Sequence, residues 1–138
     1  MTLTRVVTFH ARHRYYRARW GDAENQRRFG PASDAPGHGH LYRVEVSVRG
    51  PLDAETQMVI DLALLDEILG TEIVGRLDGQ HLNEVVPPFA TGEELPSCEA
   101  LARWIWARVG VRLSGAARLE RVRVAEDDTL WAECLASG

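Results

Sequence analysis

The chain has 138 residues, a formal net charge of −4 and 45% apolar residues, which suits a single domain, 1–138, around one core. No apolar run approaches the roughly 20 residues that span a bilayer, two cysteines are too few for a disulfide framework, and the acidic balance gives a nucleic-acid partner no support. All sixteen basic residues are arginine, so Schiff-base chemistry on a lysine amine is excluded.

Residues 3–13 alternate loosely through Val6, Val7 and Phe9 and predict a strand. No signal-peptide core precedes it, so the expected location is cytoplasmic. Residues 22–29 predict a short helix with Asp22 as cap and Gly30 as exit, and 30–37 read as a loop. Over 38–49, Tyr42, Val44, Val46 and Val48 share one side, while His40, Arg43, Glu45, Ser47 and Arg49 supply most of the polar positions. Gly50-Pro51 ends that strand. Asp61 caps a helix over 62–74 with Leu62, Leu65, Ile68 and Leu69 as its apolar stripe. Residues 77–96 read as irregular. Ser97 and Glu99 open a helix over 98–110, and a closing hairpin pairs 119–126 with 129–135 around Asp127-Asp128. The order strand, strand, helix, helix, strand, strand predicts an α+β domain with the helix pair on one face of an antiparallel sheet.

The densest chemical signal is His38-Gly39-His40 at the start of the second strand. Alternate strand residues point to one face, so both imidazoles reach one ion, and Gly39 between them adds no bulk. His13 ends the first strand and supplies a third ring. Three histidines with an open fourth position describe a catalytic zinc site; the competing reading is unrelated histidines at strand ends. Cys98 and Cys134 fit no zinc-knuckle spacing and read as small apolar residues.

Seven stretches, in order along the chain, together resemble the 6-pyruvoyl-tetrahydropterin synthase family, which also includes the 6-carboxytetrahydropterin synthases. They are Phe9-His-Ala-Arg-His13, Asp22-Ala-Glu-Asn-Gln-Arg-Arg-Phe-Gly30, Gly37-His-Gly-His-Leu-Tyr42, Met58-Val-Ile-Asp61, Leu77-Asp-Gly-Gln-His-Leu-Asn83, Pro96-Ser-Cys-Glu99 and Val122-Arg-Val-Ala-Glu126. The resemblance implies the T-fold, a four-stranded antiparallel sheet with two helices on one face (ββααββ). Such subunits assemble into barrel-like homo-oligomers, commonly a homohexamer of two trimers, with active sites between subunits. It implies Zn2+ held by His13, His38 and His40, and a pterin-like small-molecule substrate anchored by the carboxylates of Glu99 and Glu126. Ser97 and Cys98 stand where the family has threonines beside the pterin. The implied activity is that of a zinc-dependent carbon–oxygen lyase, which removes triphosphate and rearranges the side chain.

The same resemblance exposes a gap. The family's base is a cysteine thiolate working with an Asp-His pair. Here Ala32 fills the cysteine position, and Asp78 is followed by Gly79. General-base catalysis contributes about 10²- to 10⁴-fold, so little of the usual elimination is expected. Asp34 and His81 are the candidate replacements beside the surviving Asp78, while His10 should point to the opposite face of its strand. Arg12, Arg14, Arg17 and Arg19 read either as a grip for an anionic tail or as a solvated face. The alternatives to the standard lyase are a repurposed zinc enzyme with another substrate and base, and a non-catalytic pterin-binding protein.

Overall fold

The computed structural model describes residues 1–137. The first alternating run forms β1 (Thr2–His13), and α1 (Gly21–Phe29) lies between it and β2 (His38–Arg49). The two long strands pair antiparallel throughout, from Thr2 opposite Arg49 to His13 opposite His38. The Asp61 carboxylate accepts the Ala63 N–H and starts α2 (Leu62–Leu69), which continues through a wide π turn (Gly70–Val74) into α3 (Gly75–Leu77). Gly75 permits that turn: a Cβ on it would stand 2.8 Å from the Gly70 carbonyl oxygen. Next come β3 (Gln80–His81), two single-turn helices, α4 (Leu82–Val85) and α5 (Pro87–Ala90), and then α6 (Cys98–Gly110). Ser97 caps α6 by accepting the Ala100 N–H on its hydroxyl. The chain closes with the hairpin β4 (Arg118–Asp127) and β5 (Leu130–Leu135), where the Asp127 carboxylate takes the N–H groups of Thr129 and Leu130.

The fold is α+β, as the sequence predicts, but the sheet has five strands in the order β3-β1-β2-β4-β5. The extra strand, β3, runs parallel to β1 through the pairs Ala11/Gln80 and Arg12/His81. Two residues are too few to show alternation, so a stretch that reads as irregular hides both this strand and the short helices after it. One sheet face, carrying Phe9, Tyr42, Val44, Val46, Val122 and Val124, is buried against Leu65, Ile68, Leu69 and Ile73 of the α2 rod and Leu101, Ile105 and Val109 of α6. Burying each such side chain contributes about 1.5–3 kcal/mol. His40 stands on this buried face with Tyr42, not with the outward polar set, because its number has the same parity.

The rod and α6 are also joined by charge. Glu72, 4% exposed, sits in the π turn. Its carboxylate accepts from Arg108 (2.8 and 3.0 Å), Arg112 (2.9 Å) and Arg76 (3.2 Å). Burial pushes this carboxyl up, but the hydrogen bonds from Arg108 and Arg112 outweigh it and hold the group below its ordinary 4.5. The arginines are partly exposed and rehydrate when Glu72 is lost, so the cost stays below that of a fully buried pair. Glu72→Gln is expected to lose about 2–3 kcal/mol at neutral pH. A group depressed on folding stabilises above its unfolded value, and that stabilisation goes as pH falls through the folded value. Urea melts of wild type and Glu72→Gln should therefore differ most at pH 7 and converge in acid; equal stability at pH 7 would show that the cluster is ornamental.

Candidate metal centre

His13 is the last residue of β1, and His38 and His40 open β2. Pairing sets His13 opposite His38 and Ala11 opposite His40, so period-2 geometry delivers all three rings to the core side of the sheet. His13 Nε2 lies 3.1 Å from His38 Nε2 and 3.2 Å from His40 Nε2. A fourth donor joins them. Glu126, 7% exposed on β4, places Oε2 2.7 Å from His40 Nε2 and 3.4 Å from His13 Nε2. All four atoms lie within 4.8 Å of one another. Zinc bonds of about 2.0–2.1 Å set a tetrahedron whose edge is about 3.3 Å, so this donor set fits a metal ion.

The protonation pattern follows from one contact. His13 Nδ1 is 2.9 Å from the Pro96 carbonyl oxygen, which can only accept. Nδ1 therefore carries the proton, and Nε2 turns a lone pair to the cluster, the tautomer a metal ligand requires. The Tyr42 hydroxyl oxygen, 3.1 Å from the same Nδ1, shares that proton as a second acceptor. Burial pulls His13 down to about 4, opposed by the Pro96 bond and assisted by His38 and His40. His38 is lowered by burial and then by His40. His13 is thus neutral at pH 7 and available to bind a cation.

The glycine that matters here is not the one between the paired histidines. A Cβ on Gly39 would meet nothing closer than 3.7 Å. Gly37 has φ +108°, and a Cβ there would stand 2.5 Å from the His13 carbonyl oxygen. The turn into β2 is pressed against the end of β1, and only glycine passes.

The other sequence candidates fall into two groups. Ser97, Cys98 and Glu99 lie together where α6 begins, directly after Pro96. Ser97 is used as the cap, and Glu99 is exposed. Cys98 is buried; burial and then Glu126 push its thiol up to about 12 against the Glu126 N–H, so it carries no thiolate at pH 7. The surviving Asp78 and the two candidate replacements for the base are each engaged elsewhere. Asp78 is exposed and accepts the His10 N–H at 2.9 Å. Asp34 is exposed, holds the Gln26 amide and faces a surface recess with Arg14, Tyr16 and Asp22. His81 has Nε2 2.6 Å from the Pro36 carbonyl oxygen and accepts the Asn83 N–H on Nδ1 at 3.3 Å. Ala32 is tied to the chain just beyond the centre: its carbonyl accepts the N–H of Tyr15, two residues after His13, at 2.9 Å. Of the four arginines, Arg14 bonds the Ser33 carbonyl and lies over the Tyr16 ring, Arg17 reaches the Gly92 carbonyl and Arg19 lies over Trp20. Arg12 lines an outer-face recess with His10.

Sequence reasoning missed Pro96, Tyr42 as a partner of His13, and Tyr15. The Tyr15 ring is 5.1 Å from the His13 ring, and burial, then Glu126, Cys98 and Glu99, hold its phenol protonated well above the ordinary range. Continuing the period of two from His13 to Tyr15 was the available signal. Pro96 offers only a backbone atom, which no side-chain pattern marks.

The family profile described as 6-pyruvoyl tetrahydropterin synthase matches residues 2–137. A 6-pyruvoyl tetrahydrobiopterin synthase of Drosophila melanogaster is 40% identical over 124 residues, covering 90% of this chain and 73% of that protein. The Homo sapiens protein of the same name is 35% identical over 126 residues, covering 91% and 85%. The solved structure of Caenorhabditis elegans 6-pyruvoyl tetrahydropterin synthase superposes with a TM-score of 0.89 at 29% identity, over 99% of this chain and 96% of that one. A profile match across nearly every residue, these relatives and that superposition agree: the chain belongs to the 6-pyruvoyl tetrahydropterin synthase family.

Proposed function

We propose that the chain is a zinc-dependent carbon–oxygen lyase of the 6-pyruvoyl tetrahydropterin synthase type, acting on a pterin-like substrate, with its standard activity curtailed because the base is missing. The observation that carries this reading is the convergence of the Nε2 atoms of His13, His38 and His40. Bound there, zinc supplies Lewis-acid polarisation of a substrate oxygen. With His40 committed to a metal, its Nε2 has no proton to give Glu126. In this reading the three imidazoles hold the metal and Glu126 is the pterin anchor rather than a fourth ligand, taking the N–H edge of the ring, with Ser97, Cys98 and Glu99 at the start of α6 as its companions. Tyr15 remains protonated and offers a hydrogen-bond donor beside the centre.

The same reading places the chain in the cytoplasm as a homo-oligomer, a homohexamer; self-association is supported by the edge strand β5. Among the described residues its outer side has no partner strand, and Leu130, Trp131 and Leu135 are 47–61% exposed. Among the described residues, no helix is long and apolar enough to cross a membrane.

The second reading is a repurposed zinc enzyme or a non-catalytic pterin-binding protein. It is favoured by Ala32 and Gly79, which carry no titratable group, and by the prior engagement of Asp34, Asp78 and His81.

Two experiments test the proposal. Purified wild type should carry one zinc per chain, and His40→Ala should lose it on dialysis against a weak chelator; equal zinc in both proteins would remove the centre from the account. Ala32→Cys should raise turnover of dihydroneopterin triphosphate by about 10²-fold if only the base is missing. The double change with Gly79→His adds the pair partner, at a backbone cost of about 1–2 kcal/mol because Gly79 has φ +75°. No gain in either variant, with pterin binding intact, favours the second reading.

A further inference from the structure

His81 is bound at both ring nitrogens, one to the turn that leads into the paired histidines and the other to Asn83, whose side chain holds the residue after His13. The Pro36 carbonyl 2.6 Å from Nε2 can only accept, so Nε2 carries the proton. Nδ1 is then an acceptor and receives the Asn83 N–H at 3.3 Å, where it also caps α4. One neutral tautomer satisfies both contacts. Asn83 turns the other way: its Oδ1 accepts the Arg14 N–H at 3.0 Å and its Nδ2 donates to the Arg14 carbonyl at 3.1 Å. These two bonds replace a missing strand partner for the residue after His13. β3 adds its pairing to Ala11 and Arg12. Between these anchors lies Gly37, whose missing Cβ would meet the His13 carbonyl oxygen at 2.5 Å and His81 Nε2 at 3.3 Å. The four residues Gln80–Asn83 thus grip the end of β1 on one side and the turn into β2 on the other, where His13 and His38 stand opposite each other.

We propose that His81, with Asn83, is a positioning residue of the metal centre rather than its base: the ring holds the Pro36-Gly37 turn, and so keeps His38 and His40 at bonding separation from His13. This inference rests on reading the cluster as a metal site. Both nitrogens of the His81 ring are already in use, one on the Pro36 carbonyl and the other on the Asn83 N–H.

The test is cobalt(II) titration of the full chain against a competing chelator, with the visible ligand-field bands as a second readout. His81→Ala frees the turn and should weaken cobalt binding about 10- to 100-fold, with weaker or shifted bands, as expected for loss of a group that orients ligands. His81→Gln offers a donor and an acceptor on one side chain and should restore most of the affinity and the spectrum. Asn83→Asp keeps the acceptor toward Arg14 but sets an oxygen against its carbonyl, and should weaken binding in the same direction. Should His81→Ala fail to fold, His81→Gln and Asn83→Asp carry the comparison. Wild-type affinity in His81→Ala or in Asn83→Asp overturns the proposal. So does His81→Gln with wild-type cobalt binding and no turnover where wild type turns over, because that is the behaviour of a lost base. A wild-type chain that takes up no cobalt overturns the metal reading itself, which separates that failure from this one.

Discussion

The centre depends on one backbone constraint: β1 and β2 pair in a register that puts His13 directly across from His38. Three imidazole nitrogens then crowd within hydrogen-bonding distance on the buried side of the sheet. Lone pairs this close repel unless a cation stands between them, either a proton or a metal. The Pro96 carbonyl removes one choice by fixing the His13 proton on Nδ1, which leaves Nε2 bare. Burial then makes protonation of His13 costly, holding it at about 4. At neutral pH the arrangement is satisfied by sharing the remaining protons with Glu126 or by a divalent ion.

The rest of the fold serves that register. The apolar face of the sheet and the rod of α2 and α3 form the core beneath the histidines, and α6 begins beside them, delivering Pro96 and Cys98 from the same short stretch. β4 brings Glu126 from the other side of β2. Close passage of the turn into β2 over the end of β1 requires Gly37, and the segment from Gln80 to Asn83 closes over it. A site assembled from four distant pieces of chain keeps its geometry because each piece is fixed by main-chain hydrogen bonds or by packing.

Much of this was legible in the sequence where periodicity or a cap carried the signal. Alternation gave the long strands, Asp61 and Ser97 marked the helix starts, and parity predicted that His38 and His40 share a face. Parity also places His40 with Tyr42, which a first grouping by polarity obscured. The short parallel strand was hidden because two residues have no period, and the π turn because its side chains continue the same apolar stripe as the helix predicted over 62–74. Gly39 drew attention as a spacer between ligands, yet the steric demand lies at Gly37, where a loop meets another strand's carbonyl. That demand depends on tertiary contact and leaves no local trace. For the same reason His81 read as a spare base: its two partners lie far apart in the chain, with Pro36 at 45 residues before it and Asn83 at two after.

The histidine cluster is well defined, while Ala32 stands at the position where the resemblance implies a thiol, so metal binding and proton transfer are separate questions for this chain. The central claim concerns the first. X-ray absorption at the zinc edge of the purified protein measures it most directly. The account predicts one zinc per chain with three imidazole nitrogens at about 2.0–2.1 Å and one oxygen donor. A zinc shell of sulfur, or a protein that binds no zinc when it is supplied, would contradict it.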